Sequence, residues 1–245
     1  MTVDAELVAE VGAGITGDVP GWFSDTDQDL FEWFLDSGRP EAPGDIVELG
    51  TYLGRSAVHL GRFTRPGERL VVCDLFEQAG STRSILPSAR EFYEPLRREQ
   101  FEANYLRYHS ALPSIVEGLS STILDHVRAG SCRFVHIDAS HRYDDVRADL
   151  LAARVMLGPG GVVAVDDYRT AHTPGVAAAV WEAVLTGGLR PVCLSADKFY
   201  GVWDGADELR GALLAALARR RDRYAVDEQD VLGHRLARVV RRGEA

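Results

Sequence analysis

Asp138 and the adjacent pair Asp166-Asp167 each follow a short apolar run, and His141 stands three residues past Asp138. If those runs are neighbouring strands, the three carboxylates face one crevice. There they repel one another unless a cation sits among them, and all-oxygen ligation favours Mg²⁺ or another hard divalent ion. His141, at the start of a turn into a helix, has an ordinary pKa near ~6.5 and suits a general base at neutral pH. The alternative is a purely structural role for all three acids at their strand ends. Other residues of the same types carry less. Asp144, Asp145 and Asp149 read as a solvated face at a helix start, which the helix dipole favours. His136 falls inside an apolar strand and reads as a core histidine. His172 follows the acid pair closely enough to face the crevice, whereas His59, His109, His126 and His234 show no companion pattern.

A second constellation is the turn Glu48-Leu49-Gly50-Thr51-Tyr52-Leu53-Gly54-Arg55-Ser56. Gly50 permits a positive φ or a close backbone approach, and Gly54 opens a helix N-terminus. The spacing is not GxGxxG, because Tyr52 or Leu53 stands where that fingerprint has its second glycine, and this weakens a dinucleotide assignment. Asp74 ends the next apolar run at the distance where an acid can accept both hydroxyls of an adenosine ribose. A tight turn with Asp74 capping the following helix is the competing explanation.

The elements that must position these groups alternate between strand and helix. Asp45–Leu49, Leu70–Cys73, Phe134–Ile137 and Val162–Val165 are near-continuous apolar runs separated by helical patterns. Parallel strands buried on both faces have this character. The expected fold is an α/β, doubly wound sheet with ligands at the C-terminal strand ends. Residues 105–109 read as a short strand, 114–128 as a helix, 207–224 as a helix, and 27–36 as an amphipathic helix. Pro191–Leu194 and Phe199–Trp203 read as an antiparallel hairpin.

Across 245 residues the 27 Lys+Arg and 37 Asp+Glu give a net charge of −10, which argues against nucleic acid or an anionic membrane as partner. No apolar run approaches the ~18 residues needed to span a bilayer. The N-terminus, with Asp4 and Glu6, lacks a signal-peptide pattern. Cys73, Cys132 and Cys193 form no disulfide or metal spacing, so a cytoplasmic, reducing location is expected. The chain has one lysine, Lys198.

ELGTYLGRS (Glu48 to Ser56), CDLFE (Cys73 to Glu77), HIDASHRYDD (His136 to Asp145) and LGPGGVVAVDDY (Leu157 to Tyr168) together resemble class I S-adenosylmethionine-dependent, metal-dependent O-methyltransferases. The resemblance covers roughly residues 45–203. It implies a Rossmann-like, seven-stranded, mostly parallel sheet whose last strand inserts antiparallel. It also implies Asp138, Asp166 and Asp167 as Mg²⁺ ligands, with Glu48, Gly50, Tyr52, Ser56, Asp74, Ser110 and Asp138 around the cofactor. Catechol-type members carry a lysine base where this chain has His141, and Lys198 lies far along the sequence in the hairpin. The Asp-x-x-His arrangement is similar to the macrocin and mycinamicin sugar O-methyltransferases and to related mannoside methyltransferases. His141 is then the catalytic base and a glycoside the acceptor, a small molecule or oligosaccharide that Trp22, Phe23, Tyr143 or Tyr168 could stack against. A single domain is expected, with 1–44 a helical lid or oligomer segment, 45–203 the cofactor-binding core, 204–245 a helical extension, and a homodimer as the assembly. Competing assignments are a phenolic acceptor, an NAD-type oxidoreductase and a non-catalytic scaffold.

Overall fold

Both faces of the central strands are apolar, and this sets the architecture. The computed structural model describes residues 18–37, 43–76 and 98–243; Asp4, Glu6 and Glu77 lie outside the described residues. In chain order the elements are α1 (Asp25–Glu32), continued by a π-helical turn at Trp33–Ser37, β1 (Asp45–Leu49), α2 (Arg55–Gly61), β2 (Leu70–Asp74) and α3 (Arg98–Leu106). They continue with β3 (Ser114–Glu117), a 3₁₀ turn at Ser120–Asp125, β4 (Cys132–Ile137), α4 (Tyr143–Met156), β5 (Leu157–Val165) and α5 (Pro174–Thr186). The chain ends in β6 (Arg190–Leu194), β7 (Phe199–Val202), α6 (Ala206–Ala218), β8 (Tyr224–Val231) and β9 (His234–Arg241). The strands form one sheet in the order β3-β2-β1-β4-β5-β7-β6-β9-β8.

Side chains alternate across the sheet as a strand's two-residue period requires. Ile46, Val72, Phe134 and Ala164 face one core with residues of α1, α2, α3 and α6, whereas Val47, Val71, Val135 and Val163 face a second core with α4 and α5. From β3 to β5 the pairing is parallel, and β7 then inserts antiparallel between β5 and β6. The doubly wound architecture and the antiparallel hairpin agree with expectation.

The sheet has nine strands rather than seven. Residues after Ala218 do not continue a helix. Tyr224–Val231 and His234–Arg241 form a hairpin whose two loop residues, Leu232 and Gly233, both have positive φ, and β9 pairs with β6. A two-residue loop of this kind matches the strand twist. The C-terminal segment is therefore a helix followed by an edge hairpin. Residues 105–109 are also not a strand: Tyr105 lies in the last turn of α3 and its ring stacks on His109 at 4.3 Å. Ser114–Glu117 is a strand, not the start of a helix.

The three cysteines are free and buried, and among the described residues no helix is long and apolar enough to cross a membrane.

Candidate active site

Register decides which residues meet. Leu49 pairs with Ile137, Ile137 with Val165, and Val165 with Phe199 across the antiparallel boundary. The residues just beyond these, Gly50, Asp138 and Asp166, and the one just before Phe199, Lys198, therefore form a row along one sheet edge. Backbone bonds extend the ladder into it: Asp138 N–H donates to Leu49 O at 2.7 Å and Asp166 N–H to Ile137 O at 2.9 Å.

The glycine turn is shaped by that row. Gly50 has φ +81°, and a Cβ there would lie 2.2 Å from the Asp138 carbonyl oxygen. Only glycine lets β1 run so close to the end of β4. A Cβ on Gly54, at φ +92°, would meet the Phe101 ring at 2.8 Å. Tyr52 also has positive φ, and the Asp74 carboxylate holds the turn: one oxygen accepts the Thr51 and Tyr52 N–H groups at 2.7 and 3.1 Å, the other the Phe76 N–H at 3.0 Å. Burial raises the Asp74 pKa, offset in part by those donors. With three of roughly four acceptor positions in use, Asp74 keeps one for a ligand hydroxyl. Ser56 lies buried in the first turn of α2.

Glu48 is fully buried between two partners: one oxygen meets His136 Nδ1 at 2.9 Å and the other accepts the Thr51 hydroxyl at 2.9 Å. His136 is a core residue as expected, but its Nε2 has no hydrogen-bond partner.

Asp166 and Asp167 flank Asp138. Donor atoms of Asp138, His141 and Asp167 lie within 4.8 Å of one another, and so do those of His136, Asp138 and Asp166. Among the described residues the three aspartates do not close into one group of their own; Asp138 is the member the two groups share. Asp167 sits in the left-handed region at φ +56°, a conformation tolerated by aspartate and common at functional sites. One of its oxygens accepts the Thr170 hydroxyl at 2.8 Å, and the other lies 2.7 Å from His141 Nε2. His141 and Asp167 shift in opposite directions. Burial opposes the charge of each, but their hydrogen bond and mutual attraction raise the imidazole pKa and lower the carboxyl pKa. Asp138 is raised well above the carboxylate range, first by burial and then by the charge of Asp166.

Lys198 does not lie apart from the site. Its Nζ is ion-paired with Asp166 Oδ2, its side chain is 2% exposed, and it sits 5.6 Å from the Phe23 ring centre. Burial disfavours its charge, but Asp166, Asp27 and Asp138 outweigh that and raise its pKa. Asp27 of α1 is itself buried and accepts the Tyr200 hydroxyl at 2.6 Å.

Residues 47–168 match the model of a methyltransferase domain. Residues 47–168 are a methyltransferase domain. Solved structures share the fold. The O-methyltransferase NovP aligns over 72% of this chain and 78% of its own at 18% identity, with a TM-score of 0.58. Cofactor-bound Rv0187 from MTB covers 83% of this chain and 92% of its own at 17% identity and 0.56. The Bacillus cereus O-methyltransferase in complex with SAH covers 82% and 91% at 17% identity and 0.51. No curated protein matches the chain. The chain is a methyltransferase, and S-adenosylmethionine is the donor its domain uses.

In this methyltransferase Glu48, Gly50, Tyr52, Asp74 and Asp138 share one edge of the sheet. Ser110 does not join them: it is exposed and precedes β3, at the opposite end of that parallel strand. The residues that follow β3 at the site edge are Gly118–Ser120, and the Gly118 N–H donates to Asp74 O. Reading 114–128 as a helix hid them. Of the four aromatic candidates for stacking, Phe23 and Tyr168 are buried, and Tyr168 Oη accepts the Trp181 indole N–H. Trp22 is exposed beside Tyr52, and Tyr143 donates to Glu182. Asp149 is buried rather than solvated.

Proposed function

We propose that this methyltransferase alkylates a hydroxyl oxygen of a sugar, with His141 as the base and a hard divalent ion beside it. The observation that carries this reading is the His141–Asp167 pair next to Asp138 at the edge of the domain. An ionised carboxylate only accepts hydrogen bonds, so His141 Nε2 carries the hydrogen given to Asp167, and the basic lone pair is on Nδ1. Asp167 thus orients the ring and stabilises the imidazolium that forms when Nδ1 takes a proton, as in other carboxylate–histidine pairs. A sugar hydroxyl is a poor nucleophile until deprotonated, whereas a phenol needs less help, so an oriented base favours the sugar. The fold neighbour NovP, described as an O-methyltransferase, agrees with an oxygen acceptor.

Bound S-adenosylmethionine supplies the methyl group as a sulfonium. The Gly50 turn would border its methionine end, the remaining acceptor of Asp74 suits a ribose hydroxyl, and Tyr52 and Ser56 lie along the same turn. His141 Nδ1 would take the acceptor's proton while the methyl passed from the sulfonium sulfur, left as a neutral thioether, to the acceptor oxygen.

The residues also fit a divalent cation. Donor atoms of Asp138, His141 and Asp167 converge within 4.8 Å of one another, and the Asp138 carboxyl is raised first by burial and then by the charge of Asp166. Asp138 and Asp167 would hold the ion, with Asp166 alongside. Such an ion supplies Lewis acidity that lowers the pKa of a hydroxyl.

Methyl transfer from labelled cofactor to glycosides with free cis or trans diols tests the proposal. Activity is expected to fall with chelator and with His141→Ala. Activity on a sugar that survives both would overturn the base and the metal together; a preference for phenols over every glycoside would overturn the acceptor.

A further inference from the structure

Lys198 is a full positive charge sealed inside a crevice otherwise lined by acids. It reaches there because β7 runs antiparallel to β5, so that the residue before Phe199 stands opposite the residue after Val165. Its ammonium pairs with Asp166 Oδ2, while Asp166 Oδ1 accepts the Asp167 N–H at 2.8 Å. Both oxygens of Asp166 are therefore engaged within the protein. The oxygens of Asp138 and Asp167 converge with His141, whereas Asp166 joins Asp138 only in a second group, with the buried His136 and not with Asp167. A buried ammonium is held this tightly only where its desolvation is offset by acids, here the paired Asp166 and the charges of Asp27 and Asp138.

We infer that Lys198 is a positioning residue that withdraws Asp166 from the cation site, leaving a two-carboxylate site of Asp138 and Asp167 beside His141. The inference rests on the metal-dependent reading of the crevice and deepens it: it states which carboxylates take the ion and why the third does not. The consequence is weakened metal affinity, because the ion meets one carboxylate fewer and a fixed positive charge nearby. In return, the ammonium fixes the Asp166-Asp167 turn and attracts the buried Asp27 of α1.

The test is calorimetric titration of Mn²⁺ and Mg²⁺ into the metal-stripped full chain, comparing the native protein with Lys198→Met. A second variant, Asp27→Asn with Lys198→Met, removes the other buried anion, and asparagine still accepts the Tyr200 hydroxyl, so it covers a failure of the single variant to fold. Loss of the ammonium is expected to tighten divalent-ion binding at least about tenfold, as Asp166 becomes available and the repulsion disappears. A purely structural lysine would give the reverse, since its loss would disorder the ligands. Unchanged or weaker binding in the variants, with measurable binding in the native chain, overturns the role of Lys198 and leaves the metal reading standing. Binding by the variants alone supports the role of Lys198 and overturns a native metal site. No binding by any of the proteins at millimolar ion overturns both.

Discussion

His141 Nε2 lies 2.7 Å from Asp167 Oδ2, and this contact joins the turn after β4 to the turn after β5. It fixes which nitrogen is free to act and raises the imidazole pKa against the effect of burial. In the metal-free protein, NMR titration of His141 is therefore expected to give a pKa above the ordinary ~6.5, and Asp167→Asn should lower it. The base form is the deprotonated one, so kcat/KM should rise with pH through the pKa that His141 has in the metal-loaded enzyme. His141→Ala should lower kcat by about 10²–10⁴-fold, the range for a positioned base. A His141 pKa unmoved by Asp167→Asn would show that the pair does not act together.

Asp74 serves the turn before it serves any ligand. Its carboxylate accepts three backbone N–H groups. Asparagine has one accepting oxygen in place of two, so Asp74→Asn should loosen residues 51–52 as well as remove a ribose contact. The expected outcome is a lower Tm in the ligand-free protein together with weaker binding of S-adenosylhomocysteine by calorimetry. Weaker binding with an unchanged Tm would mean that the turn does not depend on Asp74.

The crevice was legible in the sequence where strands are parallel and apolar on both faces. Asp138, Asp166 and Gly50 each directly follow such a run, and the parallel register brings them to one edge. Lys198 was missed although the hairpin was read, because its importance depends on direction: only an antiparallel neighbour of β5 puts the residue before a strand beside the residue after another. Ser110 was misplaced through the same dependence, since the short strand Ser114–Glu117 has only Val116 fully buried and offers no apolar run. The edge hairpin β8–β9 was hidden by its charged, solvent-facing side chains, which carry no two-residue alternation strong enough to outweigh a helical reading.

Gly50 offers a test of close strand packing independent of any ligand. A methyl group there meets the Asp138 carbonyl oxygen at 2.2 Å and the Ala139 Cα at 2.5 Å, both backbone atoms that cannot step aside alone. Positive φ adds strain of its own. Gly50→Ala is expected to cost at least about 3 kcal/mol in denaturant unfolding, among the larger effects of single substitutions. A cost within experimental error would mean that the ends of β1 and β4 separate readily.

Asp149 ties stability to pH from beneath the site. It lies on α4 with its side chain buried, and burial pushes its carboxyl from 3.8 up to about 7, although a hydrogen bond from Ser120 acts the other way. A carboxyl whose pKa is higher folded than unfolded binds more protons in the folded state between those two values. Stability must then fall as pH rises through that window and level off above it. The loss attributable to this one group reaches up to about 4 kcal/mol at most, from the size of the shift. Asp149→Asn keeps the shape and removes the charge, so it should raise Tm at pH 8 and leave it nearly unchanged at pH 4. Thermal unfolding of the two proteins at those pH values checks this, and an equal change at both would assign the effect to packing instead of ionisation.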